Sequence, residues 1–311
     1  MHFRGILAAA TLALSVTVAA AAVPPETQPA LTAEQQALVE KYNAIARQLH
    51  PLTGDIKIPQ ASVTLHLGKR YYFLKADEAK LVLRDAWGNS DDQIQGVLGL
   101  IFPADKTFVD DTWGAVVTYQ DSGYVPDDDA ASTDYDAVIK SVQDGEDEFN
   151  AKRKERGLYT MHLVGWAQPP GYDKTRHTLI WAQDLRIGGA TEDTLNYDIR
   201  ILGRRGLLSM NMITAMRNLA PTRTAANELQ RVADFDAGAR YSDYNAGTDK
   251  KAEYGVAGLV AAGVGGVIAQ KLGLFGILLL FFKKAAVFLV AGFGAVVAWF
   301  RRFFGGRKDQ A

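Results

Sequence analysis

Leu195-Asn196-Tyr197-Asp198-Ile199-Arg200-Ile201-Leu202-Gly203-Arg204-Arg205-Gly206-Leu207-Leu208-Ser209-Met210-Asn211-Met212-Ile213-Thr214 is the stretch on which the fold turns. Two runs of large apolar side chains flank a short polar link with glycine at both ends. The pattern predicts two antiparallel strands, Leu195–Leu202 and Gly206–Thr214. A tight hairpin turn closes them, with glycines supplying positive φ and arginines facing water. A second pair, Leu158–Ala167 and Arg176–Ile187, lies upstream around Pro169-Pro170-Gly171-Tyr172. Four strands joined by short connections make an antiparallel sheet.

Outward from that sheet the pattern is mixed. Thr32 and Gln35 form a capping box, and Leu38, Tyr42, Ile45 and Leu49 recur at helical spacing until Pro51. Ser62–Leu67 and Arg70–Leu74 flank Gly68-Lys69 as a hairpin, Ala76–Trp87 is a helix closed by Gly88, and Gly96–Phe102 and Trp113–Tyr119 are strands. A long helix is expected from Thr133 to about Arg156, with Tyr135, Ile139 and Val142 facing inward, and a last one near Pro221. The class is therefore α+β, an antiparallel sheet with helices packed on one face and hydrophobic membrane helices at the C-terminal end.

The two ends carry topological signals. Residues 1–22 read as a secretory signal peptide: Arg4, an apolar stretch over 5–20, and Ala20-Ala21-Ala22 as a cleavage site. Residues 23–254 form one exported domain, opened by a proline-rich linker. Residues 255–304 are almost wholly apolar and are expected to anchor in a lipid bilayer, followed by a basic tail over 305–311. The apolar blocks 255–269, 272–282 and 285–300 are each too short to span alone. A helix over 255–282, however, would reach about 42 Å at ~1.5 Å per residue. Lys283 and Lys284, with Arg301 and Arg302, then mark the membrane interface. Whether 285–300 recrosses or lies along the surface stays open. Gly258, Ala262 and Gly266 form a small-residue stripe suited to self-association between membrane helices. The body is expected to fold without the tail, so that residues 26–250 alone would be soluble and melt cooperatively.

Charge and cysteine content exclude several function classes. The exported body holds 26 Lys/Arg against 34 Asp/Glu, and residues 255–311 hold seven against one. An acidic body on a basic membrane tail argues against nucleic acid and suits anionic lipid headgroups. The chain has no cysteine, which removes thiol catalysis and thiolate metal sites. No nucleophile elbow, zinc-protease, Walker or dinucleotide motif is present, and no cofactor is expected.

Three constellations remain. His162 and His177 are expected on opposite strands of the Pro169–Tyr172 hairpin, pairing with Trp181 and Trp166, about 13 Å apart at ~3.3 Å per residue and so too far to share a metal. Residues 101–150 hold thirteen Asp/Glu, including Asp127-Asp128-Asp129, but lack the alternation of a calcium loop and read as a solvated loop entering a helix. Arg204 and Arg205 could hold an anion in their fork-shaped guanidinium groups.

Three segments resemble one family. Gly165-Trp166-Ala167-Gln168-Pro169-Pro170-Gly171-Tyr172-Asp173, Leu202-Gly203-Arg204-Arg205-Gly206 leading into Leu207–Asn211, and Gly238-Ala239-Arg240-Tyr241-Ser242-Asp243-Tyr244 running through Lys250-Lys251 to Tyr254-Gly255 are similar to the domain of unknown function 2167 family. The resemblance covers most of the mature chain. It implies a bacterial envelope protein anchored by its C-terminus and brings no catalytic residue. Two functions follow as expectations. The first is a non-enzymatic binding or assembly module at the inner membrane, its domain on the periplasmic side and an envelope protein as partner. The second is a membrane-tethered hydrolase acting on an envelope polymer, its carboxylates dispersed among too many acidic residues to name.

Overall fold

The structure, a computed structural model, describes residues 31–155 and 157–265. The expected signal peptide over 1–22, the linker before Leu31, Gly266, Lys271, Lys283, Lys284, Arg301, Arg302 and the basic tail all lie outside the described residues. In chain order the elements are α1 (Ala33–Ala46), β1 (Asp55–Ile58), β2 (Val63–His66), β3 (Tyr71–Lys75), α2 (Ala76–Leu81, continuing as a π turn over Val82–Ala86), β4 (Val97–Pro103) and β5 (Gly114–Gln120). There follow α3 (Tyr135–Asp144), α4 (Glu146–Glu155), β6 (Met161–Asp173), β7 (Thr178–Ile187), β8 (Thr194–Leu202), β9 (Leu207–Ala215), α5 (Leu219–Leu229), β10 (Ala233–Phe235) and α6 (Val256–Gly265).

The architecture is α+β. Seven strands form one antiparallel sheet in the order β3-β4-β5-β9-β8-β7-β6, and β1-β2-β10 form a second, smaller one. The β8–β9 hairpin sits near the centre of the large sheet, running from Thr194↔Ala215 to Leu202↔Leu207. Its glycines do not supply positive φ. They are there for room. A β-carbon on Gly206 would lie 1.9 Å from the Gln120 carbonyl oxygen, and one on Gly203 would lie 2.6 Å from the Phe235 ring.

Helices cover both faces rather than one. Tyr71, Phe73, Ile101, Val117, Ile180, Ile199 and Met210 pack beneath the small sheet and α5. On the opposite face Tyr72, Leu74, Leu100, Phe102 and Val116 meet α1 and α2. Farther along that face Leu179, Trp181, Leu202 and Leu207 meet α6. The sheet is thus the middle layer, buried on both sides.

Several expectations shift. Val63–His66 and Tyr71–Lys75 are not hairpin partners: the first pairs with β1 and β10, the second with β4. The expected long helix divides at Gly145 into α3 and α4. Pro169 and Pro170 do not form a turn. They lie inside β6, an edge strand with three register shifts against β7, where a missing backbone N–H is tolerated. The true turn falls at residues 174–177, so His162 pairs with Arg186 and Trp166 with Gln183. Near its start, the outer edge of β6 is closed by helix side chains. Asn150 exchanges two hydrogen bonds with the Met161 backbone, Glu146 accepts from Leu163 N at 2.6 Å, and Gln143 donates to the Leu163 carbonyl at 2.9 Å.

Ten residues at the start of the run expected to enter a membrane, Val256–Gly265, fold as α6 against the sheet. Val256, Leu259, Val260 and Ala262 are buried. Asp129 caps this helix, accepting from the Val256 and Ala257 N–H groups at 2.9 and 3.1 Å. The Asp127–Asp129 run is therefore not merely solvated, because a helix N-terminus consumes one of its carboxylates. Gly258 and Ala262 of the small-residue stripe belong to this packed helix. Among the described residues no helix is long and apolar enough to cross a membrane.

Candidate functional site

A polar strip runs across the α6 side of the sheet, between its two apolar halves. Pairing puts Asp198 between Trp181 on β7 and Asn211 on β9, and Asn211 opposite Val116 on β5. Residues two apart on a strand share a face, so Asn196, Asp198 and Arg200 point the same way. Arg200 Nη2 donates to Asp198 Oδ1 at 2.8 Å, and the two side chains are only 6% and 2% exposed. The guanidinium carbon lies 5.5 Å from the Trp181 ring centroid. An amide chain extends the strip: Asn211 Nδ2 donates to Asn196 Oδ1 at 2.6 Å, and Asn196 Nδ2 to Gln183 Oε1 at 2.9 Å.

A buried ion pair holds only when its remaining polar atoms find partners. Here they do not. Arg200 Nε and Nη1, Trp181 Nε1 and Gln183 Nε2 have no acceptor in reach among the described residues. Helix α6 forms one wall, and a β-carbon on Gly263 would come within 2.5 Å of Trp181 Cζ2. Asn196, Asn211 and Thr118, on a diagonal across β8, β9 and β5, are half-buried, so the strip is less covered there.

A second cluster stands at the far end of the β6–β7 hairpin. His177 occupies the left-handed region at φ 51°, uncommon for a residue with a side chain. Its Nδ1 lies 3.2 Å from Tyr172 Oη and 3.6 Å from Asp127 Oδ2, and Tyr172 donates to that Asp127 oxygen at 2.8 Å. Burial, then the Asp127 hydrogen bond, raises the Tyr172 hydroxyl well above the usual tyrosine range. The His177 ring stacks on Tyr241 at 4.0 Å, Tyr241 on Tyr124 at 4.5 Å and Tyr124 on Tyr244 at 3.8 Å.

The residues singled out from sequence lie elsewhere. Arg204 forks onto Asp249 at 2.7 and 2.9 Å and reaches the Gly238 carbonyl at 3.1 Å, so its donors are engaged within the fold. Arg205 is exposed, and its carbonyl accepts from Gly123 N–H at 2.8 Å. His162 pairs with Glu146 at 2.6 Å, far along the hairpin from His177. Asp198 and Arg200 escaped notice, although two charged residues spaced by two within an apolar strand were a visible signal.

The solution structure of cyanobacterial PsbP (CyanoP) from Synechocystis sp. PCC 6803 is similar at a TM-score of 0.35 and 8% identity, over 60% of this chain and 92% of that one. No curated protein matches the chain. The family model described as Protein of unknown function (DUF2167) matches residues 50–294, covering both sheets, the polar strip and α6, and the chain belongs to that family.

Proposed function

We propose that this protein is a membrane-held module of the bacterial envelope, its α+β domain on the periplasmic side, acting by binding rather than by catalysis. The observation that carries the reading is the polar strip: buried donors without acceptors, walled by the helix that leads into the apolar run. The chain after residue 265 keeps the apolar blocks 272–282 and 285–300, and attachment to lipid falls to them, with Lys283, Lys284, Arg301 and Arg302 at the interface. Because α6 belongs to the core, that attachment places the strip close to the bilayer.

Placement is testable because the chain is free of cysteine. A Lys174→Cys variant carries its thiol on the exposed turn between β6 and β7. It should react with a membrane-impermeant maleimide in intact spheroplasts. Reaction only after the inner membrane is opened would sink the reading.

A hydrolase remains the second reading, on a specific observation. His177, in a strained backbone conformation and held by Asp127 and Tyr172, has the arrangement of an oriented general base. Release of soluble fragments from cell-wall material by the purified protein, abolished by His177→Ala, would favour it over binding.

A further inference from the structure

We propose that the polar strip receives an uncharged, acceptor-rich group, an amide carbonyl or sugar hydroxyl, held by Arg200 and Trp181. This rests on the binding reading above and specifies its ligand. Polarity comes first. The Arg200 side chain is 6% exposed and Trp181 is 0% exposed, yet Nε, Nη1 and the indole Nε1 find no acceptor among the described residues. Guanidinium and indole N–H groups donate in every rotamer, so no flip turns them into acceptors. Burying such donors unpaired is unfavourable, and what relieves it must offer oxygen lone pairs.

Charge then selects among acceptors. Asp198, 2% exposed and 2.8 Å from Nη2, already balances the Arg200 cation. A carboxylate or phosphate would bring a second negative charge beside Asp198 into a buried setting, where desolvation and repulsion both oppose it. A carbonyl or hydroxyl oxygen meets the same donors without that penalty. The neighbouring groups agree. Asn196, Asn211 and Thr118, which run diagonally across the sheet beside the pair, are half-buried, each able to donate to or accept from a polar neutral ligand. An envelope module would find this chemistry in the amide and hydroxyl groups of its surroundings.

The test uses the full chain in detergent micelles, with its five tryptophans labelled at the indole nitrogen and the Trp181 resonance assigned by Trp181→Phe. N-acetylglucosamine supplies amide and hydroxyls, methyl glucoside hydroxyls alone, and acetate and phosphate are the anionic probes. At least one uncharged probe should move the Trp181 resonance saturably, and the comparison of the two sugars tells amide from hydroxyl recognition. Arg200→Lys keeps the charge beside Asp198 but loses the fork, and should weaken that binding roughly 10-fold or more. The double variant Asp198→Leu/Arg200→Met removes the pair together, avoids a stranded charge, and should show the same loss with the other four resonances unmoved. Tighter response to acetate or phosphate, response to no probe, or equal binding by the double variant would each overturn the proposal. Correct labelling of Lys174→Cys alongside such a failure would remove the ligand and leave the membrane placement standing.

Discussion

Removing α6 should unfold the domain, although the sequence reads as if the body ended before it. The perturbation is a chain of residues 31–250 compared with one of residues 31–265. Val256, Leu259 and Val260 are 0%, 1% and 0% exposed in the folded state. At about 1.5–3 kcal/mol for each buried Val or Leu, their loss removes about 5–9 kcal/mol, an upper estimate because unfolded chains bury some surface too. The same deletion strips the cover from Leu179 and Trp181, and leaves Asp129 with no helix to cap. Against a typical total of about 5–15 kcal/mol, that is most or all of the stability. Thermal unfolding followed by circular dichroism should show a cooperative transition for the longer chain. The shorter one should show none, or a midpoint lower by more than about 10 °C. A shorter chain that melts cooperatively within about 2 °C of the longer would refute the packing of α6 as a core element.

Asp129→Ala in the full chain should cost about 1–2 kcal/mol in urea denaturation, the range of a lost N-cap, and an unchanged midpoint would mean that α6 does not depend on this carboxylate. Gly263→Ala should destabilise by about 1–3 kcal/mol through its clash with Trp181, whereas Lys174→Ala on the open turn should do nothing measurable. Acid should also discriminate. The Arg204 hydrogen bond, then the Asn245 N–H, hold the Asp249 carboxyl well below the usual carboxylate range. A folded-state value below the unfolded one of about 3.9 gives a stabilisation fully present above that value and lost as pH falls toward the folded one. The stability gap between wild type and Asp249→Asn should therefore narrow between about pH 5 and pH 2, and a gap constant with pH would count against the pair.

What was legible in the sequence was local, and what was not was decided by partners far along the chain. The Thr32–Gln35 capping box needs only its own turn of helix, and both of its hydrogen bonds form. The central β8–β9 hairpin is equally self-contained. By contrast β1 and β10 span four and three residues, and nothing within them says that β2 will join them in a separate sheet. Pro169-Pro170 reads as a turn because proline cannot serve a central strand, and only the edge position of β6 makes it harmless. The misreading of α6 and the omission of the strip have one cause. An apolar helix buried in protein and one buried in lipid share a composition, so Val256–Gly265 pointed to a bilayer. With that helix assigned to lipid, nothing remained to cover the face carrying Asn196, Asp198 and Arg200, and nothing singled those residues out. Once α6 lies on the sheet, the same residues become buried donors and an ion pair. The helix that leaves for the apolar run is thus the element that turns a solvated face into a site.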